Sequence, residues 1–478
     1  AEKELKDEQN SLNEGNIINE ITKGSVAKQG AEESFGSLRY PYSTLNSDQD
    51  FMRFSVYNYR RGEGNITRNQ DSLNKLQAFG FQINASKKLF FLSDESGYWN
   101  LRSYDLSPEQ RDVKSENVYQ IEADCCGPPW VTGKRNFSVI DSSEVVISVV
   151  KACQWNLHLV NFEQKTEKII HAQLGSLDDI VSSEKHIFYL AANDKNYPGI
   201  YCESKKQLTT AIRAPLIQPT IPDCFNEAII SEPNHLTFRT DSGDQAYGIY
   251  YGPKSNQLNL SPNILPPLII NVHGGPTGTA QAALNPMHQF WTSRGFAVFD
   301  LNHRGTTGYG RTFRKKLYGQ WGIADVRDAI NAAEHLVKHG LANADQIAIR
   351  GGSAGGDLVL ACLADSDLFS VGVSYYGIAD LELLTKDTHK FESRYLERLI
   401  GPYPEKIELY KNRSPISKLQ NIDAPVFILQ GKLDKIVPPN QADMLYAELV
   451  EKNSKTQILC FEDEGHGFRK PINQIEAL

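Results

Sequence analysis

The spacing of apolar positions changes twice along the chain. Residues 1–37 are polar and charged with weak periodicity, the texture of a flexible arm. From about residue 73 to about 214, short apolar runs alternate with turn residues. Residues 88–94 lead through a turn to 98–106, 145–150 to 155–161, and 186–191 to 199–202. Each pair predicts a strand, a turn and a returning strand. Their recurrence at roughly 45–55 residues predicts blades of a β-propeller, with a β-sandwich of similar texture as the competing reading.

Beyond about residue 226 the period lengthens. Residues 235–239 and 247–251 predict a hairpin around Ser242-Gly243-Asp244. Apolar runs at 268–272, 296–300, 346–350, 371–376, 425–430 and 457–461 then predict strands with helices between them. In 325–339 the apolar positions are Val326, Ala329, Ile330, Ala333, Leu336 and Val337, the spacing of an amphipathic helix. A second such helix is predicted over about 440–452. This alternation predicts a doubly wound, mostly parallel sheet covered on both faces. The expected division is an arm over 1–37, a short propeller-like domain over 38–225 and an α/β domain over 226–478.

Composition narrows the picture. At 478 residues the chain exceeds the roughly 250–300 that one core holds, which agrees with two domains. It carries 50 basic and 58 acidic residues, a net charge of −8, with no basic stripe, which excludes a nucleic-acid partner. No apolar run approaches the roughly 20 residues that span a bilayer, so no membrane partner is expected. The seven cysteines are irregularly spaced with no C-x-x-C pair, which predicts reduced thiols, a cytoplasmic setting and no zinc site. The start, Ala1-Glu2-Lys3-Glu4, is neither a signal peptide nor a Met, so a removed presequence or a longer parent chain is expected.

The segment with the most chemistry is Gly351-Gly352-Ser353-Ala354-Gly355. It lies between an apolar strand pattern and a helical pattern, the layout of a nucleophile elbow in an α/β-hydrolase domain. A serine hydroxyl is a poor nucleophile until a base takes its proton, and the base needs an orienting carboxylate. In this fold the partners follow in the order Ser, Asp, His. Asp434 follows the strand pattern at 425–430, and His466 follows that at 457–461. Asp423, Asp443 and Asp463 are nearby, but only Asp434 directly follows a buried strand and its Gly turn. The candidate triad is Ser353, Asp434 and His466. A tetrahedral oxyanion needs donors, and the candidates are the backbone N–H groups of Ala354 and of Gly275 in His273-Gly274-Gly275-Pro276. Such a site calls for no cofactor and no metal.

The run Ile349-Arg350-Gly351-Gly352-Ser353-Ala354-Gly355-Gly356 resembles the prolyl oligopeptidase family of serine peptidases, in its acylaminoacyl-peptidase and dipeptidyl-aminopeptidase branch. Supporting segments are His273-Gly274-Gly275-Pro276, Asn302-His303-Arg304-Gly305, Ser374-Tyr375-Tyr376-Gly377, Arg413-Ser414-Pro415-Ile416 and Gly465-His466-Gly467-Phe468. The resemblance implies an α/β-hydrolase domain behind a propeller that limits substrate size. It implies short peptides as substrates, the same triad and oxyanion donors, a substrate-binding role for Arg394 and a homodimer. The chain departs from the pattern in three ways. About 230 residues precede the hydrolase domain, against roughly 300 for seven blades. The end, shortly after His466, leaves the usual final helix shortened or missing. Asp357 stands where relatives usually carry an aromatic residue, either facing the substrate pocket or favouring the helix N-terminus. Two other functions stay open: a carboxylesterase using the same triad on small acyl esters, and a catalytically silent relative used for binding.

Overall fold

The structure is a computed structural model and describes residues 78–83, 88–105, 115–131, 134–208, 214–219, 229–256, 264–387, 394–452 and 455–478. The arm expected over 1–37 lies outside them.

Among the described residues, three antiparallel meanders make up the first half. Strands β1 (Ala78–Ile83), β2 (Lys88–Ser93), β3 (Asn100–Asp105) and β4 (Glu116–Tyr119) pair in sequence order. So do β5 (Phe137–Val139), β6 (Glu144–Lys151), β7 (Gln154–Asn161) and β8 (Thr166–Leu174). The third has β9 (Ser176–Ser182), β10 (His186–Ala192) and β11 (Gly199–Ser204). Successive strand side chains point to opposite faces, and β6 shows what that does here. Val145, Ile147 and Val149 pack with Phe90, Leu92 and Trp99 of the first sheet. Val146 and Val150 pack with Ile180, Ile187 and Tyr189 of the third. The middle sheet is thus apolar on both faces and lies between two others. Among the described residues this is the stacking of blades rather than the two facing sheets of a sandwich.

The second half is one eight-stranded sheet. Its strands are β12 (Asn234–Arg239), β13 (Gln245–Tyr251), β14 (Leu268–Val272), β15 (Ala297–Asn302), β16 (Ile347–Gly352), β17 (Val371–Tyr375), β18 (Val426–Gly431) and β19 (Gln457–Phe461). They lie in the order β12-β13-β15-β14-β16-β17-β18-β19, antiparallel at β12/β13 and β13/β15 and parallel from β15 onward. From β14 the chain first adds β15 on one side and then β16 on the other. The carboxyl ends of strands at such a reversal form the crevice where open α/β sheets bind ligands. The helix Ala324–Lys338 turns Val326, Ala329, Ala333 and Leu336 into the core, as its spacing predicts. The helix Ala354–Asp365 is apolar nearly all round and is buried along eleven of its twelve residues, so it is a core element rather than an amphipathic cover.

The halves meet through polar contacts that are out of water. Asp124 accepts N–H groups from Trp99 at 2.8 Å, Gly308 at 3.1 Å and Gly310 at 3.0 Å. Asp94 and Arg314, both fully buried, form an ion pair at 2.6 Å. Among the described residues no helix is long and apolar enough to cross a membrane, and the six cysteines there are free.

Candidate active site

Strand β16 delivers Ser353 into a backbone conformation that non-glycine residues rarely adopt, φ 58° and ψ −126°. Holding a residue there costs about 1–3 kcal/mol and persists only where the surroundings enforce it. They do so through close packing. A Cβ on Gly351 would stand 2.5 Å from Val272 Cγ2, and one on Gly355 would stand 2.5 Å from the Val272 carbonyl oxygen. Only glycine lets the elbow lie this close to β14. The Ser353 N–H donates to Tyr375 O at 3.0 Å, and its carbonyl accepts from Gly356 and Asp357 at 2.8 and 3.1 Å. The serine therefore stands out from the carboxyl edge of the sheet on a fixed turn.

Asp434 and His466 come from the ends of β18 and β19. Leu433 N–H donates to Glu464 O at 2.9 Å and Lys432 N–H to Phe461 O at 2.9 Å, so the two loops are sewn together. Asp434 Oδ1 accepts the N–H groups of Ile436 at 2.8 Å and Val437 at 3.0 Å. Its Oδ2 lies 2.8 Å from His466 Nδ1. A carboxylate only accepts, so Nδ1 carries the proton and Nε2 keeps a lone pair for a substrate-side proton. The Asp434 carboxylate is fully buried, whereas the His466 ring is 23% exposed. Ser353 Oγ makes no hydrogen bond to His466; in sites without substrate this contact is often long and tightens on binding.

Gly275 follows β14 at φ +101°, and its N–H is engaged by no other group among the described residues. Ala354 opens the elbow helix, so its N–H has no partner within the helix. Ser353, Ala354, Gly275 and Pro276 border one cavity, whose opposite wall includes Trp321, Ile378, Leu384, Leu396, Ile436 and Val437. Among the described residues no charged side chain lines it.

Arg394 and Asp357 lie away from the cavity wall. Arg394 is exposed and heads the short helix Tyr395–Leu399, outside the cavity wall. Its neighbour Tyr395 is the residue that reaches inward: it lines the cavity and donates its hydroxyl to Gly275 O at 3.0 Å. Asp357 is buried within the first turn of the elbow helix and does not line the cavity. Burial pushes its carboxyl well above the usual range, and Asp325 adds to this. Tyr376 was also beyond sequence reasoning as an individual residue. A Cβ on Gly352 would stand 2.7 Å from its ring, and the same ring lies 4.7 Å from the His466 imidazole. The tyrosine fills the space between the elbow and the histidine.

A strained serine on a strand–helix elbow, with a hydrogen-bonded acid and histidine on later strand ends, defines an α/β-hydrolase domain of the serine-nucleophile class. Residues 283–478 match the model of the prolyl oligopeptidase family. The chain is 31% identical over 226 residues to dipeptidyl peptidase family member 6 of Caenorhabditis elegans, covering 46% of this chain and 30% of that protein. It is 33% identical over 213 residues to dipeptidyl aminopeptidase BIII of Pseudoxanthomonas mexicana, covering 43% of this chain and 31% of the relative. The crystal structure of a puromycin hydrolase superposes with a TM-score of 0.78 at 29% identity, over 84% of this chain and 60% of that one. The match thus spans under a third of the length of each of these two curated relatives.

Proposed function

We propose that the protein is a serine peptidase that cleaves short peptides, of the acylaminoacyl- or dipeptidyl-peptidase type, through an acyl-enzyme. The observation that carries this reading is the 2.8 Å contact of His466 Nδ1 with Asp434, at the same sheet edge as the Ser353 elbow and its cavity. Ser353 Oγ attacks the substrate carbonyl carbon while His466 Nε2 takes its proton, and Asp434 stabilises the imidazolium. The N–H groups of Ala354 and Gly275 receive the oxyanion. Collapse of the tetrahedral adduct breaks the C–N bond, and His466 returns the proton to the leaving amine. Water then attacks the Ser353 ester by the reverse roles, releasing the acid. The apolar cavity beside Ser353 supports an uncharged side chain next to the scissile carbonyl. The names of the relatives, two of which are dipeptidyl peptidases, support peptides over simple esters as substrates. The free thiols support a reducing, cytoplasmic setting.

The test is a panel of acylated and free aminoacyl amides, dipeptidyl amides and short-chain esters. Amide turnover that depends on Ser353 is expected. Turnover of esters alone would overturn the peptidase reading in favour of a carboxylesterase.

A further inference from the structure

The loop that carries Gly275 has two faces, and the β-sheet half of the molecule supplies one of them. A Cβ on Gly274 would stand 2.8 Å from Gly352 O and 3.3 Å from Ser353 Cβ, so this glycine lies directly on the elbow. At Gly275 a Cβ would stand 2.5 Å from Cζ2 and 3.1 Å from Cε2 of Trp130. The loop is therefore held between the nucleophile turn and an indole ring that arrives from the other half of the chain.

Trp130 stands on a short, stiff arm. It belongs to Gly127-Pro128-Pro129-Trp130-Val131, where two prolines fix φ and Val131 N–H donates to Pro128 O at 3.2 Å. Six residues upstream, Asp124 is anchored on Gly308 and Gly310 at 3.1 and 3.0 Å. Thr307, beside that anchor, donates its N–H to Gly278 O at 3.1 Å and its hydroxyl to Thr277 O at 2.8 Å. The far end of the Gly275 loop and the root of the Trp130 arm thus share one support. The indole Nε1 is buried and meets no acceptor among the described residues, so the contribution of Trp130 is the packing of its ring.

We propose that Trp130 is a positioning residue, whose ring holds the Gly274–Gly275 peptide so that Gly275 N–H faces the developing oxyanion. This rests on the reading of Gly275 as an oxyanion donor. Removing one such donor outright slows reaction by about 10²–10³-fold, and a misplacement of about 1 Å costs on the order of 10²-fold. Without the ring, the loop keeps the elbow and the Tyr395 hydroxyl bond to Gly275 O, and loses the packing on the face that Trp130 covers.

A fluorophosphonate tests this without knowledge of the natural substrate. Ser353 Oγ bonds to phosphorus, fluoride leaves, His466 takes the serine proton, and the phosphoryl oxygen occupies the oxyanion position. In Trp130→Ala the maximal inactivation rate should fall about 10–100-fold with the probe's binding constant nearly unchanged. Trp130→Phe, which keeps a ring and removes the unpaired donor, should stay within a few-fold of the parent. Trp130→Leu should follow Ala and replaces it if Ala does not fold. An inactivation rate in Ala or Leu equal to the parent, an equal slowing in Phe, or a change confined to probe binding would each overturn the inference. Ser353→Ala, run in parallel, separates the two levels. Labelling that persists in Ser353→Ala overturns the site itself, whereas labelling lost there but unaffected in the Trp130 variants overturns only the role of Trp130.

Discussion

Two regions of the molecule bury carboxyl groups in different ways. Where the β-sheets meet the hydrolase sheet, buried acids are answered. Burial raises the Asp124 carboxyl, but Arg314 and the N–H groups of Trp99, Gly310 and Gly308 pull it back. Asp94 faces Arg314, whose guanidinium also lies 4.9 Å from the Trp99 ring. In the helices Ala324–Lys338 and Ala354–Asp365 two acids each leave one oxygen unanswered. Asp357 Oδ1 and Asp325 Oδ2 are buried with no hydrogen-bond partner among the described residues. Burial pushes the Asp325 carboxyl up to about 7. An acid with several donors can act as a fixed acceptor that joins two domains, whereas one without them tends to keep its proton. Interface acids therefore serve attachment, whereas burial shifts Asp357 and Asp325 towards their neutral forms.

The sharpest way to break the comparison is to show that chemistry is not confined to the hydrolase edge. Ser353→Ala and His466→Ala should each lower amide hydrolysis by about 10⁴–10⁶-fold while thermal unfolding stays close to the parent. Steady-state rates and a melting curve on the same preparation check this. A loss of activity matched by a large loss of stability would make the residue structural.

The next effect is on attachment. Asp124→Ala strips three buried N–H groups of their acceptor, each worth about 1–3 kcal/mol when left unpaired. It also removes an anion near Arg314. A total loss of at least about 3 kcal/mol is expected, read as a lowered melting temperature. Fluorophosphonate labelling should slow as well, because the Trp130 arm loses its root. A variant as stable as the parent would show that Asp124 is merely accommodated, like Asp357 and Asp325.

What the sequence made legible follows from the same geometry. The placing of Ser353, Asp434 and His466 at one sheet edge could be read because each directly follows an apolar strand pattern, and a parallel sheet delivers all such loops to one edge. The strands β14 to β19 were readable as near-continuous apolar runs, since both faces are covered. Strands β8 and β9 were not. The first exposes Thr166, Glu167, Lys168 and Ile169, and the second is interrupted by Asp178-Asp179, so the two-residue period is hidden. Tyr376, Tyr395 and Trp130 act through contacts between distant chain segments, which leave no periodic trace. The motif drew attention to Arg394, yet the inward-facing group is the residue beside it. Asp357 was noticed for its residue type, but its burial away from the cavity depends on packing around the whole helix.

The smallest expected effect tests the unanswered acids. Asp325 Oδ1 accepts the Gly322 N–H at 2.8 Å, which an asparagine oxygen can reproduce. The Asp325 carboxyl titrates near 7 in the folded protein, against about 3.9 when unfolded. Between those values the folded state holds a proton that the unfolded state has lost, so stability declines as pH rises through the window. The stabilising share is present in full below about 4 and gone above about 7. The shift as it stands corresponds to about 4 kcal/mol, an upper bound that local relaxation and water penetration reduce. Asp325→Asn cannot ionise. Its melting temperature relative to the parent should therefore climb by a few degrees from pH 5 to pH 8 and level off beyond that. Melting curves of both proteins across that range measure the difference directly. A constant offset would mean that Asp325 is ionised in the folded state throughout, and the contrast with the interface acids would be lost at this residue.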